Sequence, residues 1–218
     1  MGKVKIDYKV LGMVSTNCYF VCNGETMETV IIDPADNYNA IVDRIAEKGY
    51  IPKAVFLTHG HFDHILAARE ICDKYGIKCY SHEAEADLAM DSSMNLSTSF
   101  MGPFTLKVDE TFVDGQEIDM AGMHFKVLHT PGHTKGSCCY YLKEEGILIS
   151  GDTIFNESVG RTDFPTGNAA TLLCSIRDKI FVLPQDTKIY PGHGSETTLE
   201  YEKVHNCCVS YLNGDYEF

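Results

Sequence analysis

Nowhere in the 218 residues is there an apolar run long enough to span a bilayer. The first ten residues alternate charged and apolar types and lack the basic patch and apolar stretch of a secretory signal. Cations are scarce as well: 18 Lys and Arg stand against 31 Asp and Glu, for a formal net charge of −13. That shortage argues against nucleic acid as a partner, because affinity for a phosphate backbone comes from clustered Lys and Arg. It leaves a small anionic substrate open, since bound divalent cations make a site locally positive inside an acidic surround. The nine cysteines form no C-x-x-C pair and no zinc-finger spacing. Cys18, Cys72, Cys79 and Cys138 sit inside apolar patterns, where a free thiol behaves as a small hydrophobe. Reduced core thiols in a reducing compartment are therefore expected, with the cytoplasm as the default location. The adjacent pairs Cys138–Cys139 and Cys207–Cys208 are weighed as redox or soft-metal sites and set aside, buried thiols being inert as a rule. With no Pro/Ser-rich linker and no short-period repeat, residues 1–218 read as one domain with its own core. No membrane partner is expected, and the oligomeric state is not legible.

What is present is an alternation of strand and helix patterns. Residues 3–10 alternate, 17–22 are apolar and aromatic, and 29–32 form a β-branched run, with Asn23-Gly24 as the hairpin turn and Asp33-Pro34 as the terminator. Ala40, Ile41, Arg44, Ile45 and Lys48 recur at helical spacing before Gly49. A buried strand is expected at 54–57, one helix over 63–75, a strand at 78–81 and a short helix at 83–90. Residues 91–107 read as a long surface loop near the mouth of a site. The second half repeats the theme: strands near 111–113, 117–120, 123–129, 138–142 and 147–150, a helix over 169–180, a strand at 187–190 and a final helix over about 198–211. Two strand-rich halves, each flanked by helices, predict an α/β fold, a four-layer α/β/β/α sandwich.

Five features fall where a strand gives way to a loop. Thr58-His59-Gly60-His61-Phe62-Asp63-His64 follows the first buried strand. Residues two apart in extended chain face the same way, so His59 and His61 can share an ion while Asp63 and His64 turn toward a neighbouring position. Imidazole with carboxylate suits zinc, iron or manganese, whereas calcium and magnesium prefer oxygen. Thr130-Pro131-Gly132-His133-Thr134, Ser150-Gly151-Asp152-Thr153 and Tyr190-Pro191-Gly192-His193-Gly194 each add one donor on a Gly-containing turn. Any one of these alone is commonly a turn or cap residue; in this order they form a set. His82, His124, His129 and His205 lack such context and read as ordinary histidines. The fifth feature, Val159-Gly160-Arg161-Thr162-Asp163-Phe164-Pro165, is a loop expected to pass over the metals. Arg161 there reads as the grip for a substrate carboxylate, weighed against a surface turn held by an Arg–Asp pair.

Together these motifs resemble the metallo-β-lactamase superfamily, and within it the glyoxalase II-like (hydroxyacylglutathione hydrolase-like) branch, over nearly the whole chain. The segment 197–203 also resembles the stretch after the last ligand in that branch. The resemblance implies two divalent metal ions, zinc first with iron or manganese as alternatives. One would be held by His59, His61 and His133, the other by Asp63, His64 and His193, with Asp152 bridging. It implies hydrolysis of a small thioester or ester by a metal-bridging hydroxide, with Asp63 orienting the nucleophile as well as binding metal and Arg161 positioning an anionic tail. Three departures stand out. The sequence ends about one helix past His193, without the helical C-terminal domain whose basic residues serve glutathione in glyoxalase II proper. Asp163 stands where that family has tyrosine, and Ile65-Leu66-Ala67 follow His64 where glycine is frequent. The first two put glutathione itself in doubt. The nearest rival is persulfide dioxygenase, which shares a Gly-Arg-Thr-Asp-Phe segment but uses one iron, here at His59, His133 and Asp152. A non-catalytic regulatory protein with a structural metal cluster is the rival from another class; structural zinc sites are usually closed and Cys-rich.

Overall fold

The computed structural model describes residues 4–212. Strand β1 (Val4–Leu11) turns back on β2 (Thr16–Asn23), and β3 (Glu28–Ile32) continues the antiparallel meander. Helix α1 (Tyr38–Lys48) then carries the chain to β4 (Ile51–Phe56), parallel to β3. Asn37 caps α1 by accepting from the Ala40 amide, and Gly49 closes it in the left-handed conformation. Helices α2 (Phe62–Ile65) and α3 (Ala68–Tyr75) lead to β5 (Lys78–His82). A 3-10 turn (Glu83–Glu85), α4 (Ala86–Ala89) and α5 (Ser97–Phe100) precede β6 (Glu110–Phe112), which closes the first sheet in the order β1-β2-β3-β4-β5-β6.

The second sheet is built from β7 (Glu117–Met120), β8 (Met123–His129), β9 (Cys138–Leu142) and β10 (Ile147–Gly151), all antiparallel neighbours. A small hairpin of β11 (Ile154–Phe155) and β12 (Ser158–Val159) and helix α6 (Ala169–Ser175) form the crossover to β13 (Lys188–Pro191), parallel to β10. Strand β14 (Thr197–Thr198), α7 (Leu199–His205) and α8 (Val209–Leu212) complete the described chain, and the sheet order is β14-β13-β10-β9-β8-β7.

Period-two alternation sorts these strands into layers. Phe20, Ile31 and Val55 point to α1 and α3, while Tyr19, Val21, Val30, Ile32 and Phe56 point to the opposite sheet. In the second sheet Tyr140, Leu142 and Ile149 meet them, and Tyr141, Leu148 and Ile189 pack under α6 and α7. The result is the expected four-layer α/β/β/α sandwich. Phe56 is its hub: fully buried, its ring lies 5.1–5.6 Å from those of Tyr80, Phe112, Phe125 and Tyr140. The cysteines are free thiols, with Cys174 and Cys207 exposed and the others buried. Cys138 and Cys139 face opposite sides of β9, toward different cores. Among the described residues no helix is long and apolar enough to cross a membrane.

Several elements differ from the sequence expectation. The helix expected over 63–75 is two, because the amides of Leu66 and Ala67 donate to Ala35 and Pro34 carbonyls rather than to their own helix. The helix expected over 198–211 breaks at Asn206, whose amide group instead donates to Phe155, Ser158 and Glu202 oxygens. Past Ser175 the expected helix 169–180 widens, with Phe181 N–H donating to Ile176 O. The β2–β3 turn spans four residues, closed by Met27 N–H on Asn23 O, so Asn23 ends a strand rather than sitting in a two-residue turn. Strand β6 joins the first sheet, not the second. The stretch 91–107 is not all surface loop: it contains α5, and Leu96, Ser97 and Leu106 are buried.

Truncating the hub should cost accordingly: Phe56→Ala is expected to lower unfolding free energy by about 3–5 kcal/mol in urea titrations. A loss below about 1 kcal/mol would show that the two sheets are not clamped there.

Candidate metal centre

Strands β4, β8, β10 and β13 each end in one of the motifs, and the loops converge at one edge of the sandwich. Leu57 N–H still pairs with Tyr80 O; after that the chain leaves the sheet, and His59 and His61 turn inward, 1% and 3% exposed. Asp63 and His64 follow on α2. His133 arrives from the loop after β8, Asp152 from the turn after β10 and His193 from the turn after β13. All seven sequence-predicted donors are brought together.

They form two clusters, and His59, His64 and Asp152 make a third grouping across them. In the first, His133 Nε2 lies 3.2 Å from His59 Nε2 and 3.0 Å from His61 Nδ1. In the second, Asp63 Oδ2 lies 3.4 Å from His64 Nε2 and 3.3 Å from His193 Nε2. Asp152 stands between them: its Oδ2 is 3.6 Å from His133 Nε2 and 3.5 Å from His193 Nε2, and its Oδ1 is 3.5 Å from His64 Nε2. Donors sharing a tetrahedral ion at zinc-like distances are about 3.4 Å apart, so both sets have the spacing of a coordination shell.

The outer nitrogens decide what the inner ones offer. His133 Nδ1 donates to Arg161 O at 2.7 Å, His64 Nδ1 to Asp33 Oδ2 at 2.9 Å and His193 Nδ1 to Val14 O at 3.2 Å. Thr58 Oγ1 spends its proton on Asp33 Oδ2 at 2.6 Å, so His59 Nδ1 donates to that hydroxyl at 3.2 Å. With one ring proton fixed outward, each of these four rings when neutral aims a lone pair at the cluster, the arrangement that orients metal-bound histidine, whereas the outer Nε2 of His61 is buried without such a partner among the described residues. His64 Nε2 and Asp152 Oδ1 are buried with no hydrogen-bond partner among the described residues. Buried polar atoms of that kind call for a ligand, and this nitrogen and oxygen donor set suits zinc, iron or manganese.

Electrostatics agree. Burial, reinforced by the other histidines, holds His59 well below the usual imidazole range, and burial with His133 pulls His61 down to about 3. Burial opposes charge on His64 too, yet Asp63, Asp152 and Asp33 raise it to about 9. Burial likewise works against ionised Asp152, but His64, His193 and His133 bring it to about 2. Asp63 is held below the usual carboxylate range in the same way, against burial, by His64, His193 and Thr16. The carboxylates demand positive charge here, which a divalent cation supplies in competition with protons.

The centre opens into a cleft of about 360 Å³ walled by Val14, Phe62, Phe100, Phe155 and Phe164. Arg161 lies on its rim, stacked 3.7 Å over Phe164, with Nε and Nη2 both on Asp163 at 2.7 Å. Its side chain is 56% exposed, so it reaches the cleft while paired with a neighbour. Residues 91–107 contribute Leu96 and Phe100 to the wall, as expected of a segment at the mouth. Two groups of supporting residues are not evident in the motifs. Asp33, expected only as a strand terminator, accepts from the Thr58 amide and hydroxyl as well as from His64. Its position directly after β3, beside the end of β4, is the available signal. Asn17 donates to Pro191 O and Gly194 O, Tyr19 to Pro191 O, and Thr16 to Asp63 Oδ2, fixing the His193 turn to β2.

A model of the metallo-beta-lactamase superfamily matches residues 11–193. The chain belongs to that superfamily. It is 38% identical over 206 residues to the Bacillus subtilis protein named Probable metallo-hydrolase YqgX, covering 94% of this chain and 95% of that one. It is 33% identical over 196 residues to Hydroxyacylglutathione hydrolase GloC of Haemophilus influenzae, covering 87% and 91%. Among solved structures, the BLEG-1 B3 metallo-beta-lactamase superposes with a TM-score of 0.90 at 36% identity, covering 94% of this chain and all of that one. TTHA1623 in a di-iron-bound form gives 0.81 at 33% identity, covering 92% and 98%. Membership in the superfamily and the His/Asp clusters together imply divalent metals, with hydrolysis as the class of activity.

Gly192 offers a local test. A Cβ there would lie 2.1 Å from Asp152 Oδ1 and 2.9 Å from His64 Cε1. Gly192→Ala is expected to weaken metal binding by roughly 10–100-fold in competition with a chelator. Wild-type affinity in a folded variant would contradict the packing described.

Proposed function

We propose that this protein is a dinuclear metal-dependent hydrolase of a small thioester or ester, glyoxalase II-like in its chemistry. The observation that carries the reading is the position of Asp152, whose two oxygens lie within 3.5–3.6 Å of histidines from both clusters. His59, His61 and His133 would hold one ion, Asp63, His64 and His193 the other, and Asp152 both. Zinc is the first candidate, and the di-iron form of TTHA1623 keeps iron among the alternatives. Bound ions of this kind polarise a carbonyl oxygen and bring the pKa of water toward neutrality.

The chain's own residues then set the geometry. Asp63 Oδ2, ionised and anchored by the Thr16 hydroxyl at 2.7 Å, would orient the attacking water. The phenylalanine walls give the open cleft an apolar lining that suits a small organic substrate. Arg161 positions an anionic tail. Its pair with Asp163 is exposed and therefore cheap to exchange, so a substrate carboxylate can take Asp163's place on the fork. The name of the Haemophilus influenzae relative favours thioesters. A one-iron persulfide dioxygenase would use His59, His133 and Asp152 and leave Asp63, His64 and His193 without a role, although they too are assembled. An open cleft over the clusters disfavours a purely structural metal. A reducing, cytoplasmic location fits the free thiols.

A panel of small thioesters, with and without glutathione as the carrier, tests this directly. His59→Ala and Asp152→Ala should each abolish metal-dependent turnover, and unchanged turnover in either refutes the assignment. Arg161→Ala should raise KM for anionic substrates by about tenfold with kcat held, the pattern of lost uniform binding. Equal kinetics on anionic and neutral substrates would reduce Arg161 to a turn residue.

A further inference from the structure

Glu85 lies at the end of the 3-10 turn after β5, 1% exposed, and takes no part in the proposed chemistry. Its carboxylate reaches into both loops that supply the first cluster. Oε1 accepts from Gly60 N–H at 2.9 Å, between His59 and His61. Oε2 accepts from Thr134 Oγ1 at 2.9 Å and Gly136 N–H at 2.8 Å, just past His133. Glycine at 136 is what permits this approach, since a Cβ there would lie 2.5 Å from Oε2 and 2.4 Å from the Glu85 amide nitrogen. Burial outweighs the three donors and leaves the Glu85 carboxyl raised to about 7. A buried carboxylate on such terms is expensive to retain unless its geometry is needed.

The second cluster is framed by other residues: Thr16, Asn17 and Tyr19 on β2 hold Asp63 and the His193 turn, and Asp33 holds His64 as well as Thr58 beside His59, while none of them bonds to the His133 loop. We infer that Glu85 is a positioning residue that sets the spacing of His59 and His61 against His133, so that its loss empties the first metal site while leaving the second. The inference rests on the two-cluster reading proposed above. The isosteric change Glu85→Gln is the sharp probe. Whichever way the new amide turns, its NH2 meets either Gly60 N–H or Gly136 N–H, donor against donor.

Cobalt titration of the metal-free proteins, followed by visible absorption, reads the outcome. His59→Ala and His193→Ala provide reference spectra for an ion in the second and in the first cluster respectively. The wild-type chain should take two equivalents. In E85Q one equivalent should weaken by roughly tenfold or more, and the tight one should show the His59→Ala spectrum. Two equivalents at wild-type affinity would overturn the inference. So would a tight ion with the His193→Ala spectrum, or equal weakening of both in a variant whose metal-free Tm matches wild type. If E85Q does not fold, Thr134→Val removes one of the three donors and should weaken the same equivalent to a smaller degree; unchanged affinity there is again fatal. A wild-type chain that takes one equivalent overturns the two-cluster reading itself, whatever the variants do.

Discussion

Asp152 is the constraint around which the other parts arrange themselves. A carboxylate 9% exposed, facing histidines from three separate loops, cannot stand without positive charge close by. Protons on His64 and His193 can supply that charge, and so can divalent cations, toward which the rings are aimed by the outer hydrogen bonds. They fix the His59, His64, His133 and His193 protons away from the centre, leaving lone pairs inside. The four-layer sandwich is the frame that makes this possible. Its two sheets deliver loops to one edge, and the Phe56 cluster between them keeps the edges in register.

The support is shared out unevenly between the clusters. Hairpin strand β2 reaches across to the His193 turn through the Asn17 amide and Tyr19 hydroxyl, so one side of the centre is tied to the first sheet. The other side adds a buried carboxylate, Glu85, that bridges two loops from different sheets alongside the Cys138 N–H bond to Thr58 O. Backbone carbonyls contribute as much as side chains do: Arg161 O and Val14 O each orient a histidine. Arg161 thereby connects the centre to the cleft, since its backbone touches His133 while its side chain lies on the rim.

The convergence of the candidate donors was legible in the sequence because each motif follows a strand, and strand ends in a layered α/β fold cluster at one edge. Alternation predicted the layers for the same reason: a residue such as Tyr19 or Phe20 has only two faces to choose from. What escaped the sequence depends on contacts between distant segments. The breaks at Leu66–Ala67 and Asn206 arise because local N–H groups or a side-chain amide find partners 30 or more residues away. Short β6 carries no mark of which sheet it will join. Asp33 reads locally as a strand terminator, and its bond to His64 spans 31 positions. Glu85 lies in an ordinary acidic turn sequence, and only the folded chain brings Gly60 and Gly136 to it.

The central claim is that two ions share Asp152. Anomalous diffraction from crystals of the purified, metal-replete protein tests it most directly. The account predicts two peaks about 3.5–4 Å apart, one among His59, His61 and His133 and one among Asp63, His64 and His193, with Asp152 between them. A single peak among His59, His133 and Asp152, with the second set of donors empty at full metal loading, would contradict it.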